Sequence, residues 1–200
     1  MITKLKPQHP RPWSQTLFFI FLFLPQVVMA HESSTSNATF VSGFSHPFSG
    51  VDHVFAMLAI GVWSTLAIRP YWVAPIAFVG LMLAGTLLNS HVAPLSSIEP
   101  MIAVSVLIMG LLVATRTRLH WSAALCLSGF FAFFHGAAHA LEIGTQSSWT
   151  AWAGMLTGTA CLHVVGLIFG RAFFLHRPHF SRISGSAVAA CGAFLLARLV

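Results

Sequence analysis

Long apolar segments with almost no charge inside them constrain this chain more than any other feature of its sequence. Hydrophobic residues make up 56% of the 200 positions and charged residues only 7%. An average soluble domain has about 25% charged residues, which keep its surface hydrated. The composition therefore argues against a soluble enzyme, a disordered segment or a nucleic-acid-binding domain, and it predicts an integral membrane protein.

The first 30 residues have the layout of a secretory signal peptide. A basic start precedes an eight-residue apolar core at 17–24, which is too short to span a bilayer. Val28 and Ala30 supply the small residues of a cleavage site. Residues 1–30 are therefore predicted to be a signal peptide, and cleavage would make His31 the mature N-terminus.

Six apolar segments follow in the mature chain, residues 31–200. Most approach the ~20 residues that a helix needs to cross ~30 Å of hydrocarbon. Helices are expected because a lipid-exposed strand or loop would leave backbone groups unpaired. We therefore predict an all-α integral membrane protein, a bundle of six transmembrane helices after a cleaved signal peptide. The segments are 51–68, 72–88, 101–115, 121–141, 149–170 and 183–199.

The positions of the charges predict an orientation for this bundle. If the mature N-terminus is outside, six arginines fall in the inner connections and only Arg198 falls outside. This bias obeys the positive-inside rule and agrees with the orientation that a signal peptide imposes. The expected location is the cytoplasmic (inner) membrane, multi-pass, with the mature N-terminus on the periplasmic or outer side. The basic excess is then a topology signal, and no nucleic-acid partner is expected.

Two clusters of ionisable residues lie where helices are expected to reach the outer surface. The first has the sequence HPFSGVDH and the second the sequence HGAAHALE. In the second cluster the spacing is i, i+4, i+7, which puts all three ionisable side chains on one helix face. Both clusters are predicted to lie at the same depth, although they are far apart in the chain. Their ionisable residues are His46, Asp52, His53, His135, His139 and Glu142.

Imidazole and carboxylate groups without a pair of thiolates favour a divalent transition-metal ion such as Ni, Co, Zn or Fe. Ionisable groups in a membrane are costly, so function is their default interpretation. His163, deep in the fifth segment, extends the series, although a lone membrane histidine also serves as an interhelical hydrogen-bond donor. For His31, metal capture beside the new α-amine and a merely solvated tail both remain open.

These motifs resemble those of the HupE/UreJ family, hydrogenase and urease accessory proteins that are proposed nickel permeases. HPFSGVDHVFAMLAIG is similar to the family's H-P-x-x-G-x-D-H-x-x-x-M-x-x-x-G, and HGAAHALE to H-G-x-A-H-G-x-E. Ala140 stands where the second motif has glycine, and Leu162-His163-x-x-Gly166 looks like a third motif. The resemblance implies transport of Ni²⁺, with Co²⁺ as an alternative cargo, and roles in the metal pathway for the six cluster residues.

Transport by this chain is expected to follow the membrane potential. The chain has no G-x-x-x-x-G-K pattern and its mature part has no lysine, which argues against ATP hydrolysis. The free energy of a divalent cation falls by about 4.6 kcal/mol for each 100 mV of potential, inside negative, when the cation enters a cell. The expected partners are the divalent ion and the bilayer, a homo-oligomer remains open, and no permanently bound cofactor is expected.

Two other functions would use the same residue types. A membrane-embedded zinc hydrolase would hold Zn²⁺ through three of these ligands and leave one position for a water. A b-type haem protein would use two histidines on facing helices as axial ligands. Carboxylates at the outer mouth favour cation capture over both, because a buried catalytic site or haem does not need them.

Overall fold

The computed structural model describes residues 39–92, 95–143 and 148–199, and this part of the chain is helical without any strand. The predicted signal peptide, its cleavage site and His31 lie outside the described residues. Seven α-helices follow one another in the described part. They are α1 (Phe40–Ser45), α2 (Val51–Ala67), α3 (Val73–Val92), α4 (Leu95–Thr115), α5 (Trp121–Ile143), α6 (Trp149–Phe169) and α7 (Pro178–Ala197).

Several of these helices are long and apolar enough to cross a membrane. Four candidate spans lie in the described residues, and α1 with α2 adds a fifth if the two, bent by 81°, form one broken span. The apolar part of α3, Val73–Leu88, is shorter. The predicted all-α membrane architecture agrees with these helices, whereas the number of six spans stays a prediction. The four spans are Ser96–Thr115, Trp121–Glu142, Trp149–Phe174 and Pro178–Ala197.

Two helices begin earlier than their apolar segments. The segment at 101–115 belongs to a helix that begins at Leu95, and the segment at 183–199 to one that begins at Pro178. Proline is favoured at the first position of a helix, where its missing N–H is not needed, and Pro178 occupies such a position. Hydropathy indicates which part of a helix can lie in the hydrocarbon core of a bilayer. Backbone hydrogen bonds, which hydropathy does not report, determine where the helix begins.

A short helix that the apolar pattern did not predict precedes α2. Thr39 caps α1 through a capping box, because its hydroxyl accepts from the Ser42 N–H while the Ser42 hydroxyl accepts from the Thr39 N–H. A 3₁₀ turn, His46–Phe48, follows, and the extended backbone of Gly50 then turns the chain into α2. His46 is thereby set beside the first turn of α2, at the end of the bundle that carries the other ionisable residues.

Glycines allow the helices that carry these residues to approach closely. A Cβ added at Gly136 of α5 would collide with the Met82 carbonyl of α3, and one at Gly166 of α6 with the Leu58 carbonyl of α2. Small residues at helix contacts are how membrane helices gain close packing where lipid removes the hydrophobic drive. These contacts seat α5 against α3 and α6 against α2.

Candidate metal site

Side chains from α5 and from the turn before α2 converge at one end of the bundle. His46 Nε2 lies 2.7 Å from Glu142 Oε2, an ion-pair contact if the imidazole is protonated. His139 Nδ1 lies 3.6 Å from the same carboxylate oxygen. One ligand atom from each of the three residues lies within 4.8 Å of the other two. A group of this size, with two imidazoles and one carboxylate, can hold one divalent transition-metal ion.

His53 lies beside this group. Its ring centroid lies 4.6 Å from that of His139 and 5.0 Å from that of His135. The His53 backbone N–H and its Nδ1 lie 2.9 Å and 3.0 Å from one oxygen of Asp52. Because a carboxylate accepts, Nδ1 carries a proton, and in the neutral imidazole Nε2 keeps its lone pair. Asp52 therefore orients His53, as carboxylates commonly orient metal-ligating histidines.

Gly50, the glycine of the first motif, lies where there is no space for a larger side chain. A Cβ added at Gly50 would lie 2.6 Å from Asp52 Oδ1 and 3.0 Å from His53 Nδ1. Any larger residue would press on the carboxylate–imidazole pair that begins α2. Gly50 thus leaves room for the close contact of Asp52 with His53.

Four buried histidines have ring nitrogens without a hydrogen-bond partner among the described residues. These atoms are Nε2 of His53, His135 and His163 and both ring nitrogens of His139. An unpartnered buried polar group costs about 1–3 kcal/mol, so such a group needs an explanation. A cation that binds these nitrogens would supply one explanation for all four side chains.

Two of these rings show which nitrogen is free. His135 Nδ1 lies 3.0 Å from the carbonyl oxygen of Phe131, and His163 Nδ1 lies 2.9 Å from that of Thr159. A carbonyl oxygen only accepts, so each Nδ1 carries the proton. Each Nε2 then offers a lone pair, the form of imidazole that binds metal.

Phe78 of α3 lies between His135 and His163, and sequence analysis did not single it out. Its ring centroid is 5.2 Å from that of His135 and 5.1 Å from that of His163. The side chain is fully buried. One phenylalanine in an apolar helix gives no sequence signal beyond packing, so only the tertiary contacts identify it as the residue between two histidines.

An acidic cavity of about 470 Å³ lies at the same end of the bundle. Three of the chain's four acidic residues line it, Asp52, Glu99 and Glu142, together with the cation of Arg198. We call this cavity the vestibule. Glu99 was not among the predicted site residues, although its place among so few acids was a usable signal. Carboxylates in a cavity with apolar walls raise the local concentration of cations.

The structure separates the predicted ligands into groups at different depths. His46, His139 and Glu142 form the compact group. The His53 ring, which Asp52 supports, lies against that of His139 and meets that of His135 edge to face. His163 lies beyond Phe78, and His31 falls outside the described residues. Metal binding by these residues stays a prediction; the arrangement resembles a descending series of ligands more than a single closed site.

Comparisons with known proteins agree with the motifs. The family model described as HupE / UreJ protein matches residues 19–195. The chain is 40% identical over 182 residues to Protein HupE of Rhizobium leguminosarum bv. viciae. This alignment covers 88% of this chain and 93% of the relative. No solved structure matches the chain. The match includes every helix that carries a site residue, and the family predicted from the motifs is confirmed: this chain belongs to the HupE/UreJ family.

Proposed function

We propose that this protein imports a divalent transition-metal cation across the cytoplasmic membrane for the maturation of a metalloenzyme. Ni²⁺ is the proposed cargo and Co²⁺ the alternative, as the family motifs imply. The observation that carries the proposal is the series of buried imidazoles with unpartnered nitrogens, from His53, which lines the vestibule, to His163 in the interior. Ligands at several depths suit an ion that moves.

Capture is the first step of this proposal. The vestibule carboxylates attract a hydrated cation, and Glu142, whose side chain is 51% exposed, meets it first. The ion then exchanges waters for His46 and His139, which lie against the same carboxylate. Imidazole holds late first-row divalent ions better than water or carboxylate does, so this exchange favours Ni²⁺ and Co²⁺ over Mg²⁺ or Ca²⁺.

Passage inward is the second step. The His53 ring lies against that of His139 and meets that of His135 edge to face. The Nε2 atoms of His53 and His135 present the next nitrogens. The Phe78 ring fills the space before His163, so the ion passes only when this ring moves aside. Such a ring separates the vestibule from the interior between passages. The membrane potential, inside negative, drives the cation in the inward direction.

The alternative of a zinc hydrolase would need only the compact group. His46, His139 and Glu142 could hold Zn²⁺ with one position left for a water. Such an enzyme has no use for a further histidine beyond Phe78. The series that continues from His135 to His163 is therefore the observation that favours transport.

Uptake of radioactive nickel by cells that express the protein tests this function. Cells with the wild-type chain should accumulate nickel, and His139→Ala should lower uptake by at least about tenfold because it removes a ligand of the compact group. His120→Ala is the matched control, since His120 is exposed and contacts Ser122 instead of the site.

Competition by Co²⁺ and Zn²⁺ in the same assay reports selectivity. A K⁺ ionophore that collapses the membrane potential should abolish uptake. The proposal is wrong if wild-type cells take up no more nickel than cells without the protein.

A further inference from the structure

The buried side-chain atoms without a partner in the described part of the chain all lie on α2, α5 and α6. Five of them are the histidine nitrogens described above, and the other two are the hydroxyl oxygens of Ser64 and Ser128. Both serines are fully buried. Two orphaned hydroxyls on the same three helices as the orphaned imidazoles need an explanation of their own.

Both serines lie on the histidine-bearing faces of their helices, farther from the vestibule. Ser64 follows His53 by eleven residues of α2, which is about three full turns, and Ser128 precedes His135 by seven residues of α5, which is about two. The backbone of Gly61 packs against that of His163. Ser64, one turn further along α2, therefore lies beyond the level of His163.

Two other buried hydroxyls of the same protein are satisfied within their own helices. Thr65 donates to the carbonyl of Val62 at 2.8 Å, and Ser105 donates to that of Ile102 at 2.7 Å. This bond to the preceding turn is the usual solution for a hydroxyl in an apolar helix. Ser64 and Ser128 do not make it, so their oxygen lone pairs remain free for another partner.

We propose that Ser64 and Ser128 line the inner half of the ion path, where their hydroxyl oxygens, together with waters, bind the cation after it leaves His163. This inference rests on the proposed function and adds two binding residues to it. Neutral hydroxyl oxygens bind Ni²⁺ or Co²⁺ less tightly than imidazoles do. Because the ligands on the inner side bind the ion more weakly, the ion can leave. Conduction through several sites requires such release.

The double variant Ser64→Ala with Ser128→Ala tests this path in two assays. Uptake of radioactive nickel should fall about tenfold at equal amounts of protein, since the inner half loses its polar lining. Binding of Ni²⁺ to the purified protein in detergent, measured by titration calorimetry, should keep the wild-type affinity because the compact group of His46, His139 and Glu142 is intact. Ser105→Ala, which removes a buried hydroxyl outside the path, should keep wild-type uptake.

Thermal unfolding separates a role in the path from a structural role. Removing an unpartnered buried hydroxyl also removes its desolvation cost, so the melting temperature of the double variant should stay unchanged or rise. Wild-type uptake by the double variant would overturn the inference, and so would joint loss of uptake, Ni²⁺ binding and stability. If the wild-type protein itself takes up no nickel, the proposed function fails and this inference fails with it.

Discussion

At the start of α2 a single carboxylate oxygen of Asp52 accepts from two groups of His53, the backbone N–H and the ring Nδ1. The imidazole is thus held in one orientation with its Nε2 unpartnered among the rings of the neighbouring histidines. At the residue scale, Asp52 is a positioning residue for His53, and its role is separable from that of its charge in the vestibule.

Two substitutions at Asp52 separate orientation from charge. Asp52→Ala leaves His53 Nδ1 without its acceptor and should weaken Ni²⁺ binding by about 10–100-fold, as loss of an orienting carboxylate does. Asp52→Asn keeps an oxygen that can accept from His53 Nδ1, so it should weaken Ni²⁺ binding less than Asp52→Ala does. Titration calorimetry on the two purified variants measures the difference. Equal losses for Asn and Ala would show that charge, and not orientation, is what Asp52 contributes.

The ionisable residues of the site were predictable one by one, whereas Phe78 was not. Histidine and carboxylate are expensive in an apolar segment, so their presence alone signals function. Phenylalanine is common in apolar segments. Nothing in the sequence distinguishes Phe78, which lies between His135 and His163, from the other phenylalanines of the chain. Its significance comes from its neighbours, which belong to other helices.

At the scale of elements, close contact between α3 and α5 sets where the α5 histidines lie. Gly136 stands between His135 and His139 in sequence, and its backbone packs on the carbonyl of Met82. Ala140, which replaces the glycine of the family motif, is buried on the same helix. The helix continues through this alanine to Ile143, so the departure from the motif does not interrupt α5.

Gly136→Ala and Gly80→Ala form a matched pair that tests this contact. A Cβ at Gly136 would collide with α3, whereas a Cβ at Gly80 would meet nothing within 4 Å. We expect Gly136→Ala to lower the melting temperature by an amount equivalent to about 1–3 kcal/mol, and to lower nickel uptake. Gly80→Ala should be neutral or stabilising, because alanine favours the helix.

Thermal unfolding in detergent and uptake in cells are the measurements for both variants. If Gly136→Ala matched Gly80→Ala in both assays, the close approach of α3 and α5 would not control the site.

For the whole molecule, the vestibule concentrates most of the acidic charge of the chain at one place. Asp52, Glu99 and Glu142 come from three different helices, and Arg198, just after α7, lies among them. Because opposite charges in one cavity partly cancel, Arg198 should oppose the attraction of a cation by the carboxylates. Under the proposed function, we expect the balance of these charges to affect the rate of cation capture more than the affinity for the bound ion.

Two charge changes at the vestibule test this balance. Glu99→Gln should lower the initial rate of nickel uptake at limiting metal, and Arg198→Gln should raise it. Both effects should shrink as salt increases, because ions screen exposed charges. Arg182→Gln is the control, since Arg182 does not line the vestibule. An unchanged initial rate in both vestibule variants would remove the electrostatic role of this cavity.

The sequence by itself determined the class of this protein and its family, and it predicted the residues of the candidate site. Scarce charge and long apolar segments leave helices in a membrane as the stable solution, because unpaired backbone groups are too costly in lipid. Motif spacing put His135, His139 and Glu142 on one helix face. These features are local, so periodicity and composition reveal them without knowledge of how the helices pack.

Only the tertiary structure decided which residues meet. Glu142 pairs with His46 because a 3₁₀ turn and Gly50 set that histidine beside α2, and no local pattern predicts this turn. Tertiary contacts also identify three further features: Phe78 between two histidines, Glu99 in the vestibule, and the unpartnered hydroxyls of Ser64 and Ser128. Contacts between helices depend on side-chain shape at close range, through glycines that admit a neighbouring backbone, and that shape is not encoded in the hydropathy of any one segment.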